Sequence, residues 1–384
     1  MVPPRNAVIV PCRYGGLAPD RCRRRCRKPR VCVSIHYNQE PDGDGDVAAS
    51  MELTVARTGV ERSPIEKKPS IVFEAPDLAR PGETVSEEEI RFFVDNGFLV
   101  KKRLIHKTAV EEALGKTWAY FGDRVPMVEG ATAPTPDDAS TWASPRWAPM
   151  PRPDESGPYQ GRQRIVYAGH TVKLHDLGDA DFLMDLVPNH PRVRAVAKAI
   201  LGDDLRPSTR TRGVYAVFPN ARESDPDDPG RLTRPLGPHT DQVCQQLNAC
   251  AYLDDVAPRS GGFTLYPGSH RIMFRAHRFE ANWSPLPDFR DAVRRVVAEI
   301  EPVEFVGEKG DVIFWHGRTV HSAGVHLGDS IRWAVFADFT MDREVLSPEA
   351  HKGMGQFEWF KDAKRFAEDA PVGEDMWRGW RLGK

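Results

Sequence analysis

Two short stretches limit what this chain can become. They are Gly237-Pro238-His239-Thr240-Asp241-Gln242 and, further along, Gly310-Asp311-Val312-Ile313-Phe314-Trp315-His316-Gly317-Arg318-Thr319-Val320-His321. Residues two apart on an extended strand point to the same side, so His239 and Asp241 can present an imidazole and a carboxylate to one metal ion. A second imidazole completes a set of three donors on one face of an octahedral metal, with three positions left open. Zinc hydrolases use similar donors but usually need only one open position. Of the twelve histidines, only His239 has an acid two residues on. Such a triplet arises by chance about once among that many histidines, so its weight comes from the downstream segments that accompany it.

A strand-like run, Leu247 to Asp255, comes next, then Ser260-Gly261-Gly262-Phe263-Thr264-Leu265-Tyr266-Pro267-Gly268-Ser269-His270, then the Gly-Asp strand ending in His321. Arg332 lies eleven residues beyond His321. In Ser330 to Asp338, alternation puts Arg332, Ala334, Phe336 and Asp338 on one face, with Ile331, Trp333, Val335 and Ala337 on the other. A guanidinium on so apolar a strand is costly unless paired, and its planar fork suits a carboxylate. A salt bridge to Asp338 or another acid is the plain alternative.

In order and spacing these pieces resemble the phytanoyl-CoA dioxygenase (PhyH) family of Fe(II)/2-oxoglutarate oxygenases, over roughly residues 86–340. The resemblance implies a mainly β fold with flanking helices, a double-stranded β-helix of the jelly-roll, cupin-like kind. It implies Fe(II) on His239, Asp241 and His321, with Arg332 gripping the far carboxylate of 2-oxoglutarate. The eleven-residue offset selects His321 over His316 and His326. Lys173, in Thr171 to Asp176, and Tyr252 match positions that contact or line the co-substrate pocket, and His270 reads as structural. The implied reaction consumes O2 and hydroxylates a small organic substrate, releasing succinate and CO2. One departure stands out: the family often carries a serine two after the distal histidine, and here that residue is Ala323. Ser322 faces the other way on a strand. A halogenase would lack Asp241. A cupin-like isomerase or hydrolase would have no use for Arg332 at its offset, and the intact ligands count against a catalytically silent metal-binding jelly roll.

The rest of the chain frames this domain. With 384 residues and a net charge of −2, one large core is possible and a global nucleic-acid or membrane role is not favoured. The expectation is a soluble, cytoplasmic protein that acts on a small molecule. Residues 1–50 form a basic leader holding Cys12, Cys22, Cys26 and Cys32, poorly spaced for zinc and expected to be disordered. Residues 51–85 are a lead-in. Ser86 with Glu89 predicts a capping box, Val85 a staple to Ile90, and Gly97 a helix stop. Phe98 to Leu104 reads as a strand, and Thr108 to Phe121 as a helix. Residues 123–169, with Trp142 and Trp147, read as a lid loop. Phe182 to Leu201 reads as helix broken at Pro188 and Pro191, Gly213 to Phe218 as a core strand, and 341–384 as an extension with scattered aromatic residues.

Overall fold

The computed structural model describes backbone and side chains for residues 84–122, 125, 127, 129–142, 171–219, 237–240, 246–276, 291–341 and 375–383. It describes backbone alone for 33–36, 52–55, 71–73, 123–124, 165–168 and 287–290. The chain divides into two units, Met1–Ser63 and Pro64–Lys384. In the first, β1 (Val33–His36) pairs antiparallel with β2 (Glu52–Val55), which joins the basic leader to the lead-in. The leader's cysteine side chains lie outside the described residues.

The second unit runs β3 (Ile71–Phe73), α1 (Glu87–Asn96), β4 (Phe98–Lys101), α2 (Lys107–Arg124), β5 (Ile165–Ala168), β6 (Thr171–Leu174), α3 (Asp181–Leu186) and α4 (Pro191–Leu201). It continues with β7 (Val214–Val217), β8 (Leu247–Tyr252), β9 (Phe263–Leu265), α5 (Ser269–Ala276), α6 (Pro287–Glu299), β10 (Val303–Phe305), β11 (Val312–His316), β12 (His321–Ala323) and β13 (Arg332–Phe339). Two sheets form, in the orders β12-β9-β10-β3 and β4-β11-β8-β13-β7-β6-β5. Every pair is antiparallel except β10 with β3. The lead-in thus contributes a strand, and the barrel reaches upstream of Ser86.

Local sequence explains how the first helix begins and ends. Ser86 Oγ accepts the Glu89 N–H at 3.2 Å and the Glu89 carboxylate accepts the Ser86 N–H at 2.8 Å, a complete capping box. Gly97 stops α1 at φ 79°, where a Cβ would come within 2.5 Å of His270 Nδ1. Glu89 also accepts from Lys101 Nζ at 2.7 Å, a buried pair that ties α1 to β4. Pro191 opens α4 at its first turn and Gly202 caps it, so the helical stretch breaks where its prolines require.

Alternation then sorts the strands. Trp333, Val335, Ala337 and Phe339 share one core cluster with Val312, Phe314, Ala249, Ala251 and residues of α1 to α4. Ala334 and Phe336 join Cys250, Tyr252, Ile313 and Trp315 in a second cluster with Phe263, Leu265 and Phe305 of the smaller sheet. The second cluster fills the space between the sheets, and the helices cover the large sheet's outer face. This is the double-stranded β-helix that the sequence implies.

Gly310 to His321, expected as one strand, is two. A turn closed by Thr319 N–H to His316 O at 2.8 Å carries the chain from the large sheet to the small one. Part of the C-terminal extension also belongs to this unit. Trp377 and Trp380 pack on Phe93 at 5.9 and 6.1 Å, and Arg381 pairs with Asp203 at 2.9 Å. Trp142 of the expected lid stacks on Trp118 at 6.3 Å, whereas residues 143–164, including Trp147, lie outside the described residues.

Candidate metal and co-substrate site

His239 and His321 are brought together by the sheet itself. The two residues pair backbone to backbone, His239 N–H to His321 O at 3.0 Å and His321 N–H to His239 O at 2.8 Å, and their rings lie 4.6 Å apart. Each ring is aimed by a carbonyl two residues before it: His239 Nδ1 sits 2.7 Å from Gly237 O, and His321 Nδ1 sits 2.9 Å from Thr319 O. A carbonyl only accepts, so Nδ1 carries the proton in both rings and Nε2 carries the lone pair. This is how protein scaffolds usually orient imidazole ligands. Asp241, the expected third donor, lies outside the described residues. Among the described residues no cluster of three or more His, Cys, Asp or Glu side chains could hold a metal ion.

The other histidines of this stretch sit elsewhere. His316 has the parity of Val312 and Phe314, packs on the outer side, and stacks on Trp380 at 5.1 Å with the rings 8° from parallel. His326 pairs with Ser260. His270 is buried at the start of α5, its Nε2 3.1 Å from Val94 O, and burial pushes its pKa down to about 4. The Phe263 and Trp315 rings lie 5.3 and 5.6 Å from His321, which places that imidazole on the apolar inner wall.

Arg332 lies on the inner face of β13, only 3% exposed. Its Nε donates to Gly261 O at 3.0 Å and its Nη1 to Tyr215 O at 3.4 Å, and among the described residues it pairs with no carboxylate. Burial depresses its pKa, so the fold works against the charge rather than answering it. Asp338, the obvious acid on the same face, is engaged by Arg212, whose Nε lies 2.9 Å from both carboxylate oxygens. Arg212 Nη2 also reaches Asn248 Oδ1 at 3.3 Å. That arginine escapes a reading of the sequence because it precedes β7 and lies three residues before the inward Tyr215, so strict alternation would send it to the other face; the positive φ of Gly213, 85°, interrupts that alternation.

Tyr252 faces inward with Asn248 and Cys250, as alternation requires. Its hydroxyl is committed to the fold: it donates to Phe305 O at 2.7 Å and accepts from Phe263 N–H at 2.9 Å, and its ring stacks on Phe305 at 4.5 Å. The ring contributes wall, and the hydroxyl bridges the two sheets. Lys173 is half-buried on the inner face of β6, opposite Tyr215 in register, with Nζ 4.7 Å from that ring. Burial pushes the Cys250 thiol up to about 12, so no thiolate competes for a metal. Asn248 Nδ2 and Trp315 Nε1 are buried donors with no hydrogen-bond partner among the described residues, on positions directly opposite each other across β8 and β11. Ala323 and Ser322 take opposite faces of β12, so the serine does not replace the one missing at 323.

Two oriented imidazoles and a guanidinium unmatched by acid among the described residues thus share the inner wall of one jelly roll. The chain belongs to the phytanoyl-CoA dioxygenase (PhyH) family: the family's model matches residues 93–334, well over half the sequence. A Caenorhabditis elegans protein described as a probable phytanoyl-CoA dioxygenase is 21% identical over 280 residues, which cover 69% of this chain and 78% of that one. Among solved structures, the non-heme alpha ketoglutarate dependent carbocyclase SnoK from nogalamycin biosynthesis aligns at a TM-score of 0.44 and 19% identity, covering 78% of this chain and 98% of that one. EctD from S. alaskensis with bound Fe aligns at 0.43 and 15%, covering 81% and 93%.

Proposed function

We propose that the chain is a non-haem oxygenase that uses Fe(II), 2-oxoglutarate and O2 to hydroxylate a small organic substrate. The observation that carries this reading is the pairing, on one inner wall, of His239 and His321 with an Arg332 that no described carboxylate neutralises. Once bound, the metal and co-substrate supply the oxidising chemistry, with 2-oxoglutarate leaving as succinate and CO2.

The chain's own residues supply place and orientation. His239 and His321 offer Nε2 lone pairs, held by the Gly237 and Thr319 carbonyls. Asp241 offers the carboxylate that completes a facial set. Arg332 receives the distal carboxylate of 2-oxoglutarate, a desolvated charge-assisted contact. Phe263, Trp315 and Phe336 keep water from the reacting centre. Lys173, on the same face as Tyr215, adds positive charge beside the anchor. No side chain acts as a nucleophile.

Titration of 2-oxoglutarate into the anaerobic Fe(II) protein, read by the metal-to-ligand absorption band, tests this directly. Arg332→Ala should weaken 2-oxoglutarate about a hundredfold and leave Fe(II) affinity little changed. Arg332→Lys should rescue only in part, because an ammonium lacks the planar fork. Asp241→Ala should abolish succinate release. Equal 2-oxoglutarate affinity in wild type and Arg332→Ala would overturn the co-substrate assignment.

A further inference from the structure

Arg332 itself is held by a small apparatus drawn from its own sheet and from a loop that the other sheet grips. Nε donates to Gly261 O at 3.0 Å and Nη1 to Tyr215 O at 3.4 Å, while Nη2 donates to none of the described residues. Two backbone carbonyls from opposite sides therefore set the plane of the guanidinium. Tyr215 O belongs to a paired strand, β7, and is fixed by the sheet. Gly261 O belongs to a loop, and something else must fix it.

That role falls to Glu304. This residue sits in β10 between the inward-facing Val303 and Phe305, and it is only 1% exposed. One carboxylate oxygen accepts from Arg259 N–H at 3.0 Å and the other from Gly262 N–H at 3.0 Å, so the loop is gripped on both sides of Gly261. A carboxylate can accept these two N–H groups on separate oxygens, whereas a glutamine amide offers a single oxygen. Burial raises the pKa of Glu304 and the two N–H donors oppose that rise.

The glycines of the loop fit the same purpose. Gly261 adopts φ +74°, and a Cβ there would lie 2.9 Å from His326 Cδ2 and 3.2 Å from Val217 Cγ1. At Gly262 a Cβ would lie 2.7 Å from Phe305 O and 2.8 Å from Glu304 Oε1. Gly261 N–H to Val325 O at 3.0 Å and Gly324 N–H to Gly262 O at 2.7 Å complete the frame.

We propose that Glu304 and the Ser260-Gly261-Gly262 loop are positioning residues for the co-substrate anchor: through the Gly261 carbonyl they aim the Arg332 fork at the distal carboxylate of 2-oxoglutarate. The inference rests on the function proposed above. Functional constellations need orientation within roughly 10–20°, and loss of an outer partner typically costs about 10- to 100-fold.

The test compares two acids on the full-length, anaerobic Fe(II) protein: 2-oxoglutarate and 2-oxovalerate, which has the same 2-oxo acid head but no distal carboxylate. Wild type should prefer 2-oxoglutarate strongly. Glu304→Gln should weaken 2-oxoglutarate by about tenfold, with 2-oxovalerate and Fe(II) affinities unchanged within about twofold. Gly261→Ala should erode the same preference. If Glu304→Gln does not fold, judged by its thermal melt, Glu304→Asp, with both oxygens on a shorter arm, is read in the same way. An equal loss for both acids would reduce Glu304 to a structural residue, and an unchanged preference would overturn the proposal. If Arg332→Ala keeps the preference for 2-oxoglutarate, the anchor assignment fails instead, whatever Glu304 does.

Discussion

Side chains on the inner wall divide between those that offer chemistry outward and those that the fold consumes. Tyr252 belongs to the second kind: its hydroxyl joins β8 to Phe305 of β10 and Phe263 of β9. Tyr252→Phe should cost roughly 2–4 kcal/mol in urea denaturation, because it strands a buried C=O and a buried N–H at once. A loss below about 1 kcal/mol would mean that the two groups find each other. His270 gives a pH-dependent case. Burial holds its folded pKa at about 4 against 6.5, so between those values the unfolded chain binds a proton that the folded chain does not. Stability should therefore fall as pH drops from about 6.5 to about 4, by up to ~3 kcal/mol from this residue. His270→Gln, which can still donate to Val94 O, should flatten that slope in denaturation curves taken across the window.

At the level of elements, local signals and long-range contacts meet at the start of α1. Ser86 and Glu89 announce a helix start from sequence alone, and the structure adds a contact that no local pattern carries, Glu89 to Lys101 at 2.7 Å. Glu89→Ala should destabilise by about 3–5 kcal/mol, far more than a capping box alone, because it leaves Lys101 buried without its partner. Adding Lys101→Met should recover much of the loss in the same assay, and failure to do so would assign the cost to the cap. The turn between β11 and β12 teaches the converse. Gly310 to His321 reads as one extended run, yet the chain must change sheets for His321 to lie against His239, and a turn at 317–320 makes that change.

For the chain taken end to end, the division at Ser63 and Pro64 separates the N-terminal unit from the barrel. A chain beginning at Pro64 should melt and release succinate like the full chain. One beginning at Glu74 also loses β3, the parallel edge partner of β10, and with it support for the strand that carries Glu304. That second truncation should lower the melting temperature and weaken 2-oxoglutarate binding, measured by the same titration. Identical behaviour of the two truncations would show that β3 is dispensable.

Strand faces, the helix ends around Ser86, Gly97, Pro191 and Gly202, and the paired motifs that mark His239, His321 and Arg332 are all legible along the chain. They are properties of periods two and 3.6, of glycine and proline, and of spacing between residues on one strand or helix. The partners those residues meet are not legible there, because folding alone assigns them. Asp338 shares a strand face with Arg332 but goes to Arg212, which arrives from another element. Tyr252 lines the wall but commits its hydroxyl to the opposite sheet. Glu304, an unremarked acid in a three-residue strand, grips a loop 45 positions away in the chain. Buried polar groups are satisfied by whatever the fold brings within about 3 Å, and that proximity is created between sheets, where no spacing along the chain records it.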